Sequence, residues 1–457
     1  MLHLADIPPL LLVMAGAALL QGAVTQRFQA WERPWMWASL GAHFVSTFAL
    51  MYLVFRVYGV GDMMMYHDTG TDISAALWDD FTGVFPEVLK ILTQQKYALT
   101  IFVPGAGSGT GSMCAFSGLV GFFLDDSLAA IGLFYAMLAY FGKVALYEAL
   151  RRSFAPEHAR LLLFAVLLVP STVFWSSGLV KEAIAMGGVG PFVLGMVLML
   201  ERRGPGGLLW MAAGAFLVAM VKPYILLVLM GAAGVAFYWR RSVERGVVEF
   251  RPVMLVLGAA VVVVGVLLVG EVAPRFSIDR LAEETGRLQA VGGSANARGG
   301  SMYQIGTGSQ SLSGQVLYAP LGLLTALYRP TLVEVRNPQM LINAFETTAF
   351  LLASFMIASR QTVRTLWDSV VRYPILAFCV PFVLVLGVAT GLTSANLGTL
   401  SRYRMPVVPF FGAVLAVWWH LPHQVRSRIK PGVSRPSPAP TLVPSATLAR
   451  QQGPRPD

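Results

Sequence analysis

Charge is what this chain has least of. Asp, Glu, Lys and Arg make up 13% of its 457 residues while 56% are hydrophobic, against about a quarter charged in soluble domains. A set of two or three soluble domains, which the length alone would allow, is thereby excluded. Cysteine is nearly absent: Cys114 and Cys379 are the two present, far apart and in apolar runs, where inert core thiols are the rule. No HExxH or CxxC pattern offers a metal site. No phosphate-binding glycine loop sits between a strand and a helix. Acids are scarcer than bases, giving a net charge of +10. The surplus arginines fall in short connections, where they set membrane topology, so no nucleic-acid partner is expected.

What remains is apolar sequence in long runs. Measured against the roughly 20 residues that cross a bilayer, about 11 candidate spans appear. They lie near residues 8–25, 36–58, 128–149, 160–178, 183–200, 207–221, 223–239, 252–271, 338–358, 373–392 and 405–420. The expected fold is an all-α, polytopic transmembrane helical bundle. Met1–Asp6 has no basic region, so residues 8–25 are expected to be a first span rather than a leader. Every second connection is rich in Arg, for example Arg151 and Arg152, Arg202 and Arg203, and Arg240 and Arg241. That bias places the N-terminus outside and the C-terminus in the cytoplasm.

Residues 1–430 then form the integral membrane domain, and the Pro/Ser-rich residues 431–457 a disordered cytoplasmic tail. Two outside segments are long, 59–127 and 272–337, and long connections are usually functional. Their apolar pieces at 113–124 and 316–328 are too short to span and are expected as re-entrant or interfacial helices. The Gly-rich "GAGSGTGS" in the first segment is expected to be a flexible loop.

The spans themselves carry a few ionisable groups near their outer ends. "FWSSGLVKEAIAM" puts Lys181 and Glu182 side by side, and neighbours on a helix point about 100° apart, so each can seek its own partner. "AMVKPYILL" places Lys222 before Pro223, at a break of the kind tolerated where a helix lines a cavity. "NLGTLSRYRMP" puts Arg402 and Arg404 at the mouth of the last span, and Arg329 sits in "LYRP". The acids are Asp62, Asp68 beside His67, and Glu346 inside a span, where a carboxylate marks a functional site by default. The bland alternatives are headgroup-anchoring cations and a protonated Glu346 bonded to a neighbour such as Asn343. If the groups converge, the cations hold a lipid phosphate or pyrophosphate and a carboxylate deprotonates an acceptor hydroxyl.

With these residues in view, the chain resembles membrane glycosyltransferases of the GT-C type. The resemblance rests on the acidic stretch in the first long segment and on "SRYRMPVVP" entering the final span. "PSTVFWSSGLVKE", "VKPY" and "LYRP" also resemble O-antigen-polymerase-like proteins of bacterial polysaccharide assembly. The resemblance implies sugar transfer from a polyprenyl-phosphate or polyprenyl-pyrophosphate donor to a saccharide or lipid-linked acceptor at the outer face of a bacterial inner membrane. It makes Asp62, with Asp68 and Glu346, the catalytic candidates, and leaves open whether a divalent cation such as Mg or Mn takes part. Lys181, Lys222, Arg329, Arg402 and Arg404 become lipid-phosphate contacts, with His67, Glu182 and Tyr224 supporting. A WWDYG-type motif is missing, and the loop acid follows the second span rather than the first. A lipid-linked saccharide transporter or flippase, and a non-catalytic assembly scaffold, are the competing readings.

Overall fold

The computed structural model describes residues 3–59, 61–244, 317–336, 338–394 and 396–421. The expected span 252–271, most of the second long segment and the 431–457 tail fall outside these residues. The described chain is helical, with no strand ladder. Seven of its helices are long and apolar enough to cross a membrane: Leu4–Thr25, Glu32–Val57, Leu128–Ser153, Lys181–Leu200, Pro223–Arg241, Met340–Arg360 and Pro374–Thr393. The reading of a polytopic helical membrane protein stands on these.

In chain order the α-helices are α1 (Ile7–Thr25), α2 (Glu32–Leu53), α3 (Asp62–Asp79), α4 (Phe81–Leu92), α5 (Gly109–Phe123) and α6 (Leu128–Ser153). Then come α7 (Ala159–Leu163), α8 (Pro170–Trp175), α9 (Lys181–Leu200), α10 (Gly206–Val221) and α11 (Pro223–Glu244). After the undescribed stretch follow α12 (Ala319–Tyr328), α13 (Pro338–Arg360), α14 (Val363–Arg372), α15 (Pro374–Thr393), α16 (Leu397–Tyr403) and α17 (Val408–Trp419).

Seven helices among the described residues reach span length, and three of the other expected runs, 160–178, 207–221 and 405–420, are broken or shorter. Residues 160–178 do not form one helix. α7 runs into a π-helical turn, Phe164–Leu168, and the chain breaks at Val169, which is extended (φ −64°, ψ 120°) ahead of Pro170. A residue preceding proline is pushed out of the α region by the ring, so the apolar run is cut there. Lys222 obeys the same rule before Pro223 (φ −144°, ψ 68°) and leaves α10 with 16 residues. α17 has 12.

The first long segment is mostly helix. α3, α4 and α5 occupy it, and α3 and α5 pack closely, a Cβ on Gly118 falling 2.9 Å from the Gly70 carbonyl oxygen. α5, the expected re-entrant or interfacial piece, buries Met113, Cys114 and Ala115 against the bundle. "GAGSGTGS" is not a free loop either. The Ser108 hydroxyl caps α5 by accepting from the Thr110 amide at 3.2 Å, the usual service of a serine at that position. The piece at 316–328 corresponds to α12, which lies along α15 with Gly322 against Gly391.

At the centre, α9 is sandwiched between α6 and α10. A Cβ on Gly190 would sit 1.6 Å from the Gly142 carbonyl oxygen, and one on Gly188 2.6 Å from that of Gly214. Helices in lipid gain little from hydrophobic exclusion, so small residues that let backbones touch supply the packing. This clamp fixes α9, whose first turn carries Lys181 and Glu182.

Candidate functional site

Gly178, at φ +83°, turns the chain in a left-handed conformation open to glycine, and α9 starts three residues later. Glu182 lies in the first turn of α9, where the helix dipole favours a negative charge, and is 1% exposed. Its Oε1 accepts from Lys222 Nζ at 2.7 Å and lies 2.9 Å from Arg402 Nε. Its Oε2 is buried and has no hydrogen-bond partner. Two cations meeting on one buried carboxylate is the pairing such a charge needs to be tolerated.

Lys222 reaches Glu182 because the break before Pro223 frees it from a helix, and its ammonium also faces the Tyr403 ring at 5.2 Å. Arg402, on α16, is shared. Its Nη2 stands 3.5 Å from Asp62 Oδ2 at the start of α3. Burial works against the Arg402 charge, but the Glu182 and Asp62 carboxylates outweigh it and hold its pKa above the ordinary guanidinium value. Asp62 is the accessible member, its side chain 55% exposed.

Lys181 turns away from Glu182, as the 100° step between neighbours requires. It donates to Thr110 Oγ1 at 2.7 Å and faces the Tyr66 ring at 5.8 Å. No carboxylate pairs with it among the described residues. Burial and the Asp62 charge hold the Tyr66 phenol well above its usual pKa, so it stays protonated. Lys181, Lys222 and Arg402 thus face Asp62 and Glu182, leaving one positive charge over, and that charge is on Lys181.

Thr110 is placed by Gly109, whose missing Cβ lets α5 abut the end of α10. A Cβ there would lie 2.4 Å from the Val221 carbonyl oxygen. Gly109→Ala is therefore expected to destabilise the protein by about 1–3 kcal/mol, the usual cost of overpacking against a backbone that cannot yield. Thermal melts in detergent would read it, and a melt unchanged from wild type would contradict the contact.

The remaining candidates lie elsewhere. Glu346 and Arg404 form a second, buried cluster. Glu346 accepts from the Ser171 amide at 3.1 Å and the Ser171 hydroxyl at 2.6 Å, with Arg404 Nη2 at 3.7 Å. Arg404, 2% exposed, also donates through Nη1 to the Arg329 carbonyl at 2.5 Å. The Arg329 side chain bonds Glu334, with Nε at 2.7 Å. Arg404 and Arg329 are thus engaged inside the protein. Asn343 bonds Ser401 at 2.9 Å, not Glu346. His67 and Asp68 form a third group. They line a cavity of ≈ 330 Å³ with His3, Asp6 and Asp126, and His67 Nε2 donates to the Asp126 carbonyl at 2.9 Å. Tyr224 is 39% exposed and flanks Lys222 in sequence. Among the described residues no three His, Cys, Asp or Glu side chains gather as a metal-ligand set.

Sequence reasoning missed Thr110, Tyr66 and Tyr403 around the first cluster. It also missed a buried pair deeper in the bundle. Lys143 on α6 is fully buried, donating to the Thr172 carbonyl at 2.7 Å and to His43 Nε2 at 3.1 Å. His43 Nδ1 in turn donates to the Ser39 carbonyl at 2.7 Å. A signal existed: "YFGKVALY" carries a lysine inside an apolar run, which by itself marks a site of interest. Comparison of the chain with protein-family models, with curated proteins and with solved structures returned no match.

Proposed function

We propose that the Asp62–Arg402–Glu182–Lys222 network, with Lys181, is the active site of a membrane glycosyltransferase or polysaccharide polymerase. It draws on a polyprenyl-(pyro)phosphate-linked sugar at the outer face of the inner membrane. One observation carries the reading: an accessible carboxylate, Asp62, stands within electrostatic reach of a cation, Lys181, that has no carboxylate of its own among the described residues. Both lie at the end of an apolar bundle. In this reading Lys181 holds the donor phosphate. Asp62 takes the proton from the acceptor hydroxyl as its oxygen bonds the anomeric carbon. The bond from that carbon to the phosphate oxygen breaks, and its electron pair leaves with the lipid phosphate. Arg402, pinned by Glu182, keeps Asp62 oriented.

The test is retention of the lipid. Polyprenyl phosphate or pyrophosphate is expected to copurify with the protein and to be identified by mass spectrometry. Lys181→Ala is expected to retain about tenfold less, since a charge-assisted contact is worth roughly 1.5–3 kcal/mol. Equal retention in the variant would remove the phosphate role.

Orientation belongs to the same proposal and has its own check. Cys114 and Cys379 are buried, so reactivity with an impermeant thiol reagent reports only added cysteines. Ala106→Cys and Thr399→Cys are expected to react from outside intact cells, and Glu157→Cys is not, following the Arg bias. Labelling of Glu157→Cys would invert the site.

One observation favours transport as a second reading. The Lys143–His43 pair is a further buried basic group inside the bundle, and α-helical breaks at Val169 and Lys222 are of the kind seen where transporters bind. Proteoliposomes separate the two: movement of a lipid-linked saccharide between leaflets without glycosidic product would favour transport.

A further inference from the structure

Opposite the candidate site, α1, α6, α9 and α10 enclose a groove of ≈ 870 Å³. α6 and α9, locked together by their glycines, form its floor; α1 packs on α6 and α10 on α9, so these two are its walls. The lining is apolar for most of its length, from Leu138 and Leu217 down to Leu198 and Trp210, and Leu20 on α1 and Trp210 on α10 remain about half exposed at the opening. At one end the lining changes abruptly to Arg27, Arg151, Arg152 and Glu148.

Length and charge select the occupant. From Leu138 to Arg152 the groove follows α6 for about 21 Å at 1.5 Å per residue. One leaflet contributes about 15 Å of hydrocarbon plus its headgroup layer, half of a bilayer. A partner helix crossing the membrane would need twice that apolar length, whereas a single lipid needs just this. The charged end carries three arginines and one glutamate in its lining. Arg151 and Arg152 share Glu148, at 3.5 and 2.6 Å, and Arg151 also meets buried Glu32 at 3.4 Å. Arg152 and Arg203 share Glu201, at 3.7 and 2.8 Å. Of the three arginines in the lining, Arg151 and Arg152 are thus paired, whereas Arg27 is exposed and has no ion-pair partner among the described residues. Trp210 sits near the same end, where indoles settle at the headgroup level.

We infer that this groove is a binding site for one anionic phospholipid of the leaflet on the arginine-rich side, its acyl chains along α6 and α9 and its phosphate at Arg27. By the Arg bias that leaflet is the cytoplasmic one, so the site is separate from the cluster around Glu182 and does not depend on the glycosyl-transfer reading.

Native mass spectrometry of the full-length protein from mixed micelles of phosphatidylglycerol and phosphatidylcholine tests it. Both lipids carry a phosphate, but the choline cation of phosphatidylcholine offsets its charge beside Arg27, so the wild type is expected to retain the net-anionic phosphatidylglycerol about tenfold better, the scale of one charge-assisted contact. Arg27→Glu is expected to lose that preference while still carrying either lipid, and Ala213→Trp, which fills the groove, to carry less of both. Both positions are exposed, and variants are compared only as monodisperse protein. Equal retention of the two lipids by the wild type would overturn the inference, as would a phosphatidylglycerol preference surviving in Arg27→Glu. A dimer cross-linked through cysteine at Leu20, with no bound lipid, would overturn it in favour of a second copy of the chain.

Discussion

Asp62→Asn is expected to lower the proposed glycosyl transfer by about 10²–10⁴ while the protein folds and keeps the lipid donor proposed for it. That range is the usual worth of a positioned general base, and the substitution preserves shape while removing the proton acceptor. Survival of the fold follows from the position of Asp62. Its side chain is 55% exposed and lies 3.5 Å from Arg402, which remains anchored by Glu182 when Asp62 is neutralised. Glu346→Gln makes the contrast. Glu346 is buried under Ser171 and Arg404, so its replacement is expected to act through stability, with a smaller effect on any transfer rate of properly folded protein. Turnover of a polyprenyl-linked donor, normalised to folded protein, distinguishes the two. A severe loss in Glu346→Gln with a mild one in Asp62→Asn would exchange their roles. Full polysaccharide output from both would sink the glycosyltransferase reading and raise the scaffold.

How far the sequence could reach is best seen residue by residue. The helical class was legible because apolar runs of span length admit little else. The break at Lys222 was legible because Pro223 announces it. The break at Val169 carried the same signal in Pro170 and was overlooked, so one expected span became α7, a π turn and α8. Divergence of Lys181 from Glu182 followed from helical geometry, and the structure bears it out: Lys181 meets Thr110, and Glu182 meets Lys222. The same arithmetic argues against full convergence. Asp62 and Asp68, six residues apart on α3, differ by about 240°, and they end in different places. Arg402 and Arg404, two residues apart, likewise serve different clusters. What no local rule supplies is the tertiary partner. The bond from Ser171 to Glu346 joins residues far apart in sequence, and only the packing of α13 against α8 brings them together.

Removing Glu182 is expected to be the most damaging single change at the site for stability. Glu182 and Lys222 are 1% and 5% exposed, and deleting one partner of a buried ion pair costs about 3–5 kcal/mol because the other charge stays buried and unpaired. In Glu182→Gln two cations are left facing a neutral amide, so a loss of that size is expected in thermal or chemical melts of the detergent-solubilised protein. It is a large share of the roughly 5–15 kcal/mol that keeps a typical protein folded. Lys222→Met alone should cost less than Glu182→Gln, since Glu182 still has Arg402 at 2.9 Å. The double variant Glu182→Gln/Lys222→Met should recover part of the loss, because the cation that Glu182 neutralised has gone with it. The cycle gives the coupling directly. Additive single losses, with no recovery in the double variant, would mean that water reaches the pair and the 2.7 Å contact is energetically idle. Recovery of stability without recovery of transfer is the outcome that ties the cluster to chemistry. It would show that the fold can dispense with this buried pair, whereas an Arg402 no longer pinned by Glu182 cannot hold Asp62 in place for the acceptor.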